Sequence, residues 1–258
     1  GRRVLGAPLT QTTNGWLCDM TALEALLARP ECKIMLLCSP HNPTGKVWRR
    51  GELETMAALC ARHGVRVMSD EIHMDMVWSD HPHIPWCEVG QGRWALFSSA
   101  SKSFNIPALT GAWGLITQAE DRETYLQALK GRDGLSSPAV LSLVAHIAAY
   151  RDGAPWLDAL RGYLQENLRF VAEQLNGAFA QLNWQPPEAT YLAWIDLRPL
   201  GLDDEALQKA LIERGKVAIM PGYTYGDEGR GFLRLNVGCP RSKLEQGVER
   251  LICAIRSL

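Results

Sequence analysis

The sequence predicts an α/β protein: an open, mostly parallel sheet in a large domain, with helices on its faces, followed by a smaller α+β domain. Three observations carry this reading. A nearly continuous apolar run, Lys33-Ile34-Met35-Leu36-Leu37-Cys38, is followed by turn residues, a helical segment and a second apolar run, Val65-Arg66-Val67-Met68-Ser69, which together read as a βαβ unit. The alternation recurs through Trp94-Ala95-Leu96-Phe97-Ser98 and Gly111-Ala112-Trp113-Gly114-Leu115-Ile116. From Pro155 to about Asn183 the apolar residues keep helical spacing, long enough to bridge two domains. The expected domains are therefore residues 1–154 and 155–258.

In chain order, residues 1–9 read as a strand already under way, and Asn14-Gly15 as a turn. Asp19, a preferred N-cap residue, starts a helix over about 20–28. The run at 33–38 suits a strand buried on both faces. Ser39-Pro40-His41-Asn42-Pro43-Thr44-Gly45 is rich in turn formers, and a helix over about 51–63 ends at Gly64. Helical segments follow the later strands near 120–130 and 137–150. Beyond the long helix come Pro186-Pro187, a strand near 191–196, a helix over 203–213, short strands near 217–220 and 232–236, and an amphipathic helix over about 242–256.

Charge balance excludes two classes of partner. With 27 Lys and Arg against 28 Asp and Glu, interleaved and never gathered into a basic run, the chain lacks the footprint expected of nucleic-acid or anionic-membrane binding. The seven cysteines form an odd count without a C-x-x-C pair, which is reducing-compartment usage. No apolar run reaches the ~20 residues of a membrane span, and no signal-peptide pattern opens the chain, so a cytoplasmic location is expected. A first residue other than Met, inside an apparent strand, suggests a fragment.

Four features could carry chemistry, and each has an ordinary structural explanation when taken alone. Asn42-Pro43-Thr44-Gly45 is a turn in any protein. Asp70-Glu71 puts two carboxylates at the carboxyl end of a strand, the edge at which open α/β sheets bind ligands. Ser98-Ser99-Ala100-Ser101-Lys102 follows another strand with hydroxyls and an amine, and Arg234 alternates with apolar residues in Phe232-Leu233-Arg234-Leu235-Asn236. Taken together they supply the groups that pyridoxal 5′-phosphate chemistry requires. An amine joins the cofactor aldehyde and moves protons, and an acid keeps the pyridine nitrogen charged. An amide donates to the ring oxygen, hydroxyls hold the phosphate, and a guanidinium takes a substrate carboxylate in a bidentate grip. His81-Pro82-His83 lacks a third ligand at a convincing spacing, so it reads as a surface loop and no metal is assigned. Tyr223 and Tyr225 read as exposed loop residues and stay outside the candidate set.

The segments CSPHNPTGKVW (38–48), SDEIHMDMVW (69–78), SSASKSFNIPALTGAWG (98–114), KGRDGLSSP (130–138) and PGYTYGDEGRGFLRLNVGCPRS (221–242) resemble the fold-type I pyridoxal-phosphate enzymes of the class I/II aminotransferase superfamily. Within it the chain resembles the MalY/PatB group of carbon–sulfur β-lyases. The resemblance implies Lys102 as the cofactor-bearing and catalytic lysine, Asp70 at the pyridine nitrogen, Asn42 as donor to the ring oxygen, Ser99 on the phosphate and Arg234 on the substrate carboxylate. His73 stands where aminotransferases usually place a tyrosine, and Thr110 where they commonly have a phosphate-binding arginine; both departures agree with the lyase group. The implied reaction is β-elimination from a sulfur-containing amino acid such as cystathionine, giving homocysteine, pyruvate and ammonia, with an ordinary aminotransferase as the alternative. The resemblance also implies a homodimer at full length, and a regulatory role through contact with the transcriptional activator of maltose genes. It implies a preceding segment of roughly a third of a full-length enzyme, so that the 258 residues alone are expected to bind the cofactor weakly and to turn over little or nothing.

Overall fold

A computed structural model describes residues 1–13, 15–135 and 137–258. Two compact units divide the chain: Gly1–His41 with Lys46–Asp158, and Asn42–Gly45 with Ala159–Leu258. The boundary falls inside one helix, and the whole Asn42-Pro43-Thr44-Gly45 segment belongs to the second unit.

The first unit opens with a two-stranded antiparallel hairpin, β1 (Leu9–Thr12) and β2 (Gly15–Cys18). Residues 1–8 are not strand, so the expected opening strand begins only at Leu9. Asn14 of the expected turn lies outside the described residues, as does Ser136. Asp19 caps α1 (Met20–Leu27), its Oδ1 accepting from Thr21 N (2.9 Å) and Ala22 N (3.0 Å). Next come β3 (Ile34–Cys38), α2 (Arg50–Arg62), β4 (Arg66–Asp70), β5 (Trp94–Ser98), the short α3 (Ala100–Ser103), β6 (Trp113–Ile116), α4 (Ala119–Gln127) and α5 (Val140–Asp152). The sheet order is β3-β4-β5-β6, parallel except for the antiparallel edge strand β6.

Leu23 and Leu27 of α1, Leu53, Met56 and Cys60 of α2, and Leu37, Val67 and Leu96 of the sheet form one buried cluster with Trp48 and Trp86. Burial in β3 is one-sided, contrary to the expectation from its apolar run. Leu37 is 6% exposed, yet Leu36, pointing to the opposite face, is 77% exposed. The reason is alternation: successive side chains leave opposite faces, and the cluster with α1 and α2 takes in only one.

In the second unit, α6 (Ala154–Ala178, whose first residues belong to the first unit) ends short of Asn183, where the apolar spacing had suggested helix. Asn176 grips the backbone of Trp184 from both sides, accepting from its N (2.8 Å) and donating to its O (2.9 Å), and so fixes a turn there. A three-stranded antiparallel sheet, in the order β7 (Leu192–Asp196), β9 (Phe232–Asn236), β8 (Met220–Pro221), is accompanied by α7 (Asp204–Ala210) and α8 (Arg241–Arg256). Leu244, Val248, Leu251 and Ile255 make the buried stripe of α8 at helical spacing. Among the described residues no helix is long and apolar enough to cross a membrane.

Candidate active site

Alternation along β4 sorts its residues. Val67 and Ser69 are buried, while Met68 and Asp70 face the open side of the sheet. Asp70 pairs in register with Phe97 of β5, and the chain leaves β5 through Ser98 and Ser99, both nearly fully buried. Ser99 caps α3, accepting from Ser101 N (3.0 Å), and this short helix carries the exposed Lys102. A depression of about 490 Å³ at this carboxyl edge is lined by Cys38, Asp70, Ile72, Phe97, Ser98 and Ser99, with Leu36, Met68 and Ala112 beside them. An acid, two hydroxyls and an aromatic wall therefore share one concavity at the sheet edge.

The turn after β4 holds His73, 4% exposed, and ends on Asp75. Asp75 Oδ2 accepts from the buried Ser103 Oγ at 2.8 Å, so the turn bearing His73 is tied to the helix bearing Lys102. Glu71 alternates with Asp70 and enters the closed side, where it is fully buried. Its Oε1 accepts from Ser69 Oγ (2.8 Å) and from Trp86 N (2.8 Å), and its Oε2 meets His83 Nε2 at 2.8 Å. A carboxylate can only accept, so His83 donates through Nε2. His83 is thus no surface-loop residue; its ring anchors the loop onto Glu71. The sequence signal for this was the apolar run Ile84-Pro85-Trp86 that follows it.

His41, one residue before the Asn42 turn, is pushed down to about 4 by burial and by the Lys46 charge. Lys46 itself pairs with Glu52 at 2.9 Å and lies over the Trp48 ring.

In the second unit Arg234 occupies the middle of β9, opposite Trp194 on β7 and Met220 on β8. Its Nη1 donates to Asn42 Oδ1 (3.1 Å), and its guanidinium lies over the Tyr225 ring, 4.8 Å from the centroid. Because a guanidinium only donates, Asn42 turns its oxygen to Arg234 and its amide NH₂ elsewhere. Gly45 closes the turn at φ +69°; a Cβ there would collide with Pro187 and lie 2.6 Å from the Ala189 carbonyl. Asn42 and Arg234, 192 residues apart in sequence, are thus brought into contact, and Tyr225 joins them as a residue the sequence reading left out.

The family model for aminotransferase class I and II matches residues 3–251. The chain belongs to the aminotransferase class I and II family. Within this family it is 69% identical to protein MalY of Escherichia coli (strain K12) over 257 residues, covering 100% of this chain and 66% of that protein. It is 35% identical to cystathionine beta-lyase PatB of Bacillus subtilis (strain 168), covering 99% of this chain and 66% of that protein. Among solved structures, cystalysin from Treponema denticola, which contains a pyridoxal 5′-phosphate cofactor, superposes with a TM-score of 0.92 at 29% identity over 99% of this chain and 66% of that one. OvoB superposes with a TM-score of 0.89 at 37% identity, over 100% and 67%. These likenesses bear out the fold expected from the motifs. The chain spans about 66% of the length of the curated relatives it matches.

Proposed function

We propose that this chain is part of a pyridoxal 5′-phosphate-dependent carbon–sulfur β-lyase acting on cystathionine-like amino acids. The observation that carries the proposal is the sheet-edge concavity, where Asp70, Ser98 and Ser99 line one hollow; Lys102, which is not among its lining residues, lies in the short helix that Ser99 caps. The donor set suits the cofactor: an apolar wall of Phe97 and Ile72 for a flat ring, a carboxylate for a ring nitrogen, and hydroxyls for a phosphate.

When bound, pyridoxal phosphate supplies an electron-accepting ring that takes up the pair left at the substrate α-carbon. Asp70 would hold the ring nitrogen, its carboxylate favouring the protonated form. Ser99 would donate to the phosphate and His73 to the ring oxygen, while the resemblance gives Asn42 a donor role toward that oxygen as well. Lys102 would hold the cofactor through its amine and would serve as the general base for the substrate α-proton. Arg234, oriented by Asn42 and Tyr225, receives the substrate carboxylate through its remaining N–H groups.

Elimination is preferred to amino-group exchange because of the likeness to PatB, a cystathionine beta-lyase, and to structures of carbon–sulfur lyases. The testing experiment supplies L-cystathionine and cofactor and follows thiol, pyruvate and ammonia. Release of all three is expected of the full-length protein, whereas exchange of amino groups with a keto acid and no thiol would make it an aminotransferase. The same reading includes a homodimer in the cytoplasm. A second role, regulation through contact with the maltose activator, is carried over from the family resemblance alone. Lys102→Ala separates the roles, since elimination should collapse while regulation by contact persists.

A further inference from the structure

Helix α5 is built the wrong way round for an ordinary surface helix. Val140, Leu141, Leu143, Val144 and Ile147 are all at least half exposed, and the buried side chain is Ser142, at 2%. Ser142, His146 and Tyr150 recur every fourth residue, so they form one polar stripe along the helix. That stripe meets the chain around Ser99. A Cβ on Gly111 would collide with Ser142 Oγ and lie 2.6 Å from His146 Cε1, so the glycine is what lets α5 approach. Burial pushes the Tyr150 phenol up, with hydrogen bonds to Trp113 and Ser98 acting the other way.

Hydrogen bookkeeping at His146 then becomes restrictive. Its Nδ1 lies 2.9 Å from the Ser142 carbonyl, which can only accept, so Nδ1 carries a proton. Its Nε2 lies 3.3 Å from Ser99 Oγ. Ser99 already accepts from Ser101 N at 3.0 Å and gives its single proton to the Gly111 carbonyl at 2.5 Å. A donor N–H at Nε2 would fill the second lone pair of Ser99 and leave that hydroxyl to act only as a donor. Among the described residues no arginine or lysine side chain hydrogen bonds to Ser98 or Ser99, and position 110 carries the uncharged Thr110.

We propose that His146 is a positioning residue for anion binding at Ser99, saturating the acceptor side of the hydroxyl so that its O–H is presented to the cofactor phosphate and adding a positive charge beside it. This rests on the reading of Ser99 as a phosphate ligand and deepens it. A phosphate oxygen is a charged acceptor and outcompetes the Gly111 carbonyl for the same proton.

The test compares binding of pyridoxal 5′-phosphate with binding of pyridoxal, which lacks the phosphate, by wild type, His146→Ala, His146→Gln and Lys102→Ala. His146→Ala is expected to weaken pyridoxal 5′-phosphate by about tenfold or more, the range of a charge-assisted hydrogen bond, and to leave pyridoxal unchanged. His146→Gln keeps a donor without the charge and should fall between; it carries the comparison if the alanine variant fails to fold. Equal weakening of both ligands would reduce His146 to a packing role and overturn the proposal. Lys102-dependent binding that ignores His146 would overturn the proposal while leaving the cofactor reading intact. Absence of binding to wild type at saturating ligand would remove that reading and the proposal with it.

Discussion

Replacing Glu71 by alanine removes the anchor behind Asp70. The carboxylate is fully buried and holds three partners at 2.8 Å each: Ser69 Oγ, Trp86 N and His83 Nε2. Truncation leaves the Trp86 N–H buried without an acceptor, at about 1–3 kcal/mol, and strips the Ser69 and His83 donors as well. With the void added, the loss should be about 3–5 kcal/mol, the range for breaking a buried pair from one side. A domain whose total stability is roughly 5–15 kcal/mol cannot conceal such a change. Urea unfolding followed by Trp fluorescence should show a midpoint lower by more than about 1 M, at a slope of about 1–3 kcal/mol/M. Glu71→Gln separates shape from charge. Its oxygen still accepts from Ser69 and Trp86, and its NH₂ can face a His83 ring that has moved its proton to Nδ1, so a loss of only about 1 kcal/mol is expected. An alanine variant within about 1 kcal/mol of wild type would refute the reasoning, because it would mean that Glu71 is not the acceptor these donors depend on.

Other expected outcomes concern the second unit and the loop before it. Tyr225→Ala removes the ring under Arg234 and should raise the KM for amino-acid substrate a few-fold, matching about 0.5–2 kcal/mol of cation–π energy, while Tyr225→Phe keeps the ring and changes little. Gly45→Ala should destabilise by about 2 kcal/mol or more in thermal or urea unfolding, from a positive φ combined with the Pro187 collision. His41 titrates at about 4 in the folded chain against an ordinary 6.5, so the unfolded chain binds the extra proton first. Its contribution is therefore intact above pH ~6.5 and lost as pH falls toward 4, about 2 kcal/mol by pH 5. His41→Gln should flatten the stability profile in that window; an unchanged slope would assign the acid sensitivity to other groups.

Much of the fold was legible because burial imposes periodicity. The α8 stripe, the β4 and β5 runs and the Asp19 cap sit within a residue or so of where spacing put them. The edge strand β6 begins at Trp113, two residues late, and runs antiparallel, which residue pattern does not encode. Exposure was less legible. Leu36 is apolar and open, and α5 is apolar outside and polar inside, so hydropathy alone assigns both the wrong faces. Strand-end position singled out Asp70 and the Ser98–Lys102 segment, and alternation within a strand singled out Arg234, while the choice of Ser99 and the role of each residue came from the resemblance. For His83 only the apolar run after it hinted at burial, and Tyr225 and His146 were not legible. Each matters through a partner distant in sequence, namely Glu71, Arg234 and Ser99.

The central claim is that the amine of Lys102 carries the cofactor. Incubating the chain with excess pyridoxal 5′-phosphate, reducing with borohydride and mapping peptides by mass spectrometry tests it directly. A pyridoxyl-phosphate mass is expected on the peptide containing Lys102, lost when Asp70→Ala and Ser99→Ala are combined. A modification spread over surface lysines such as Lys130, with Lys102 unmodified, would contradict it.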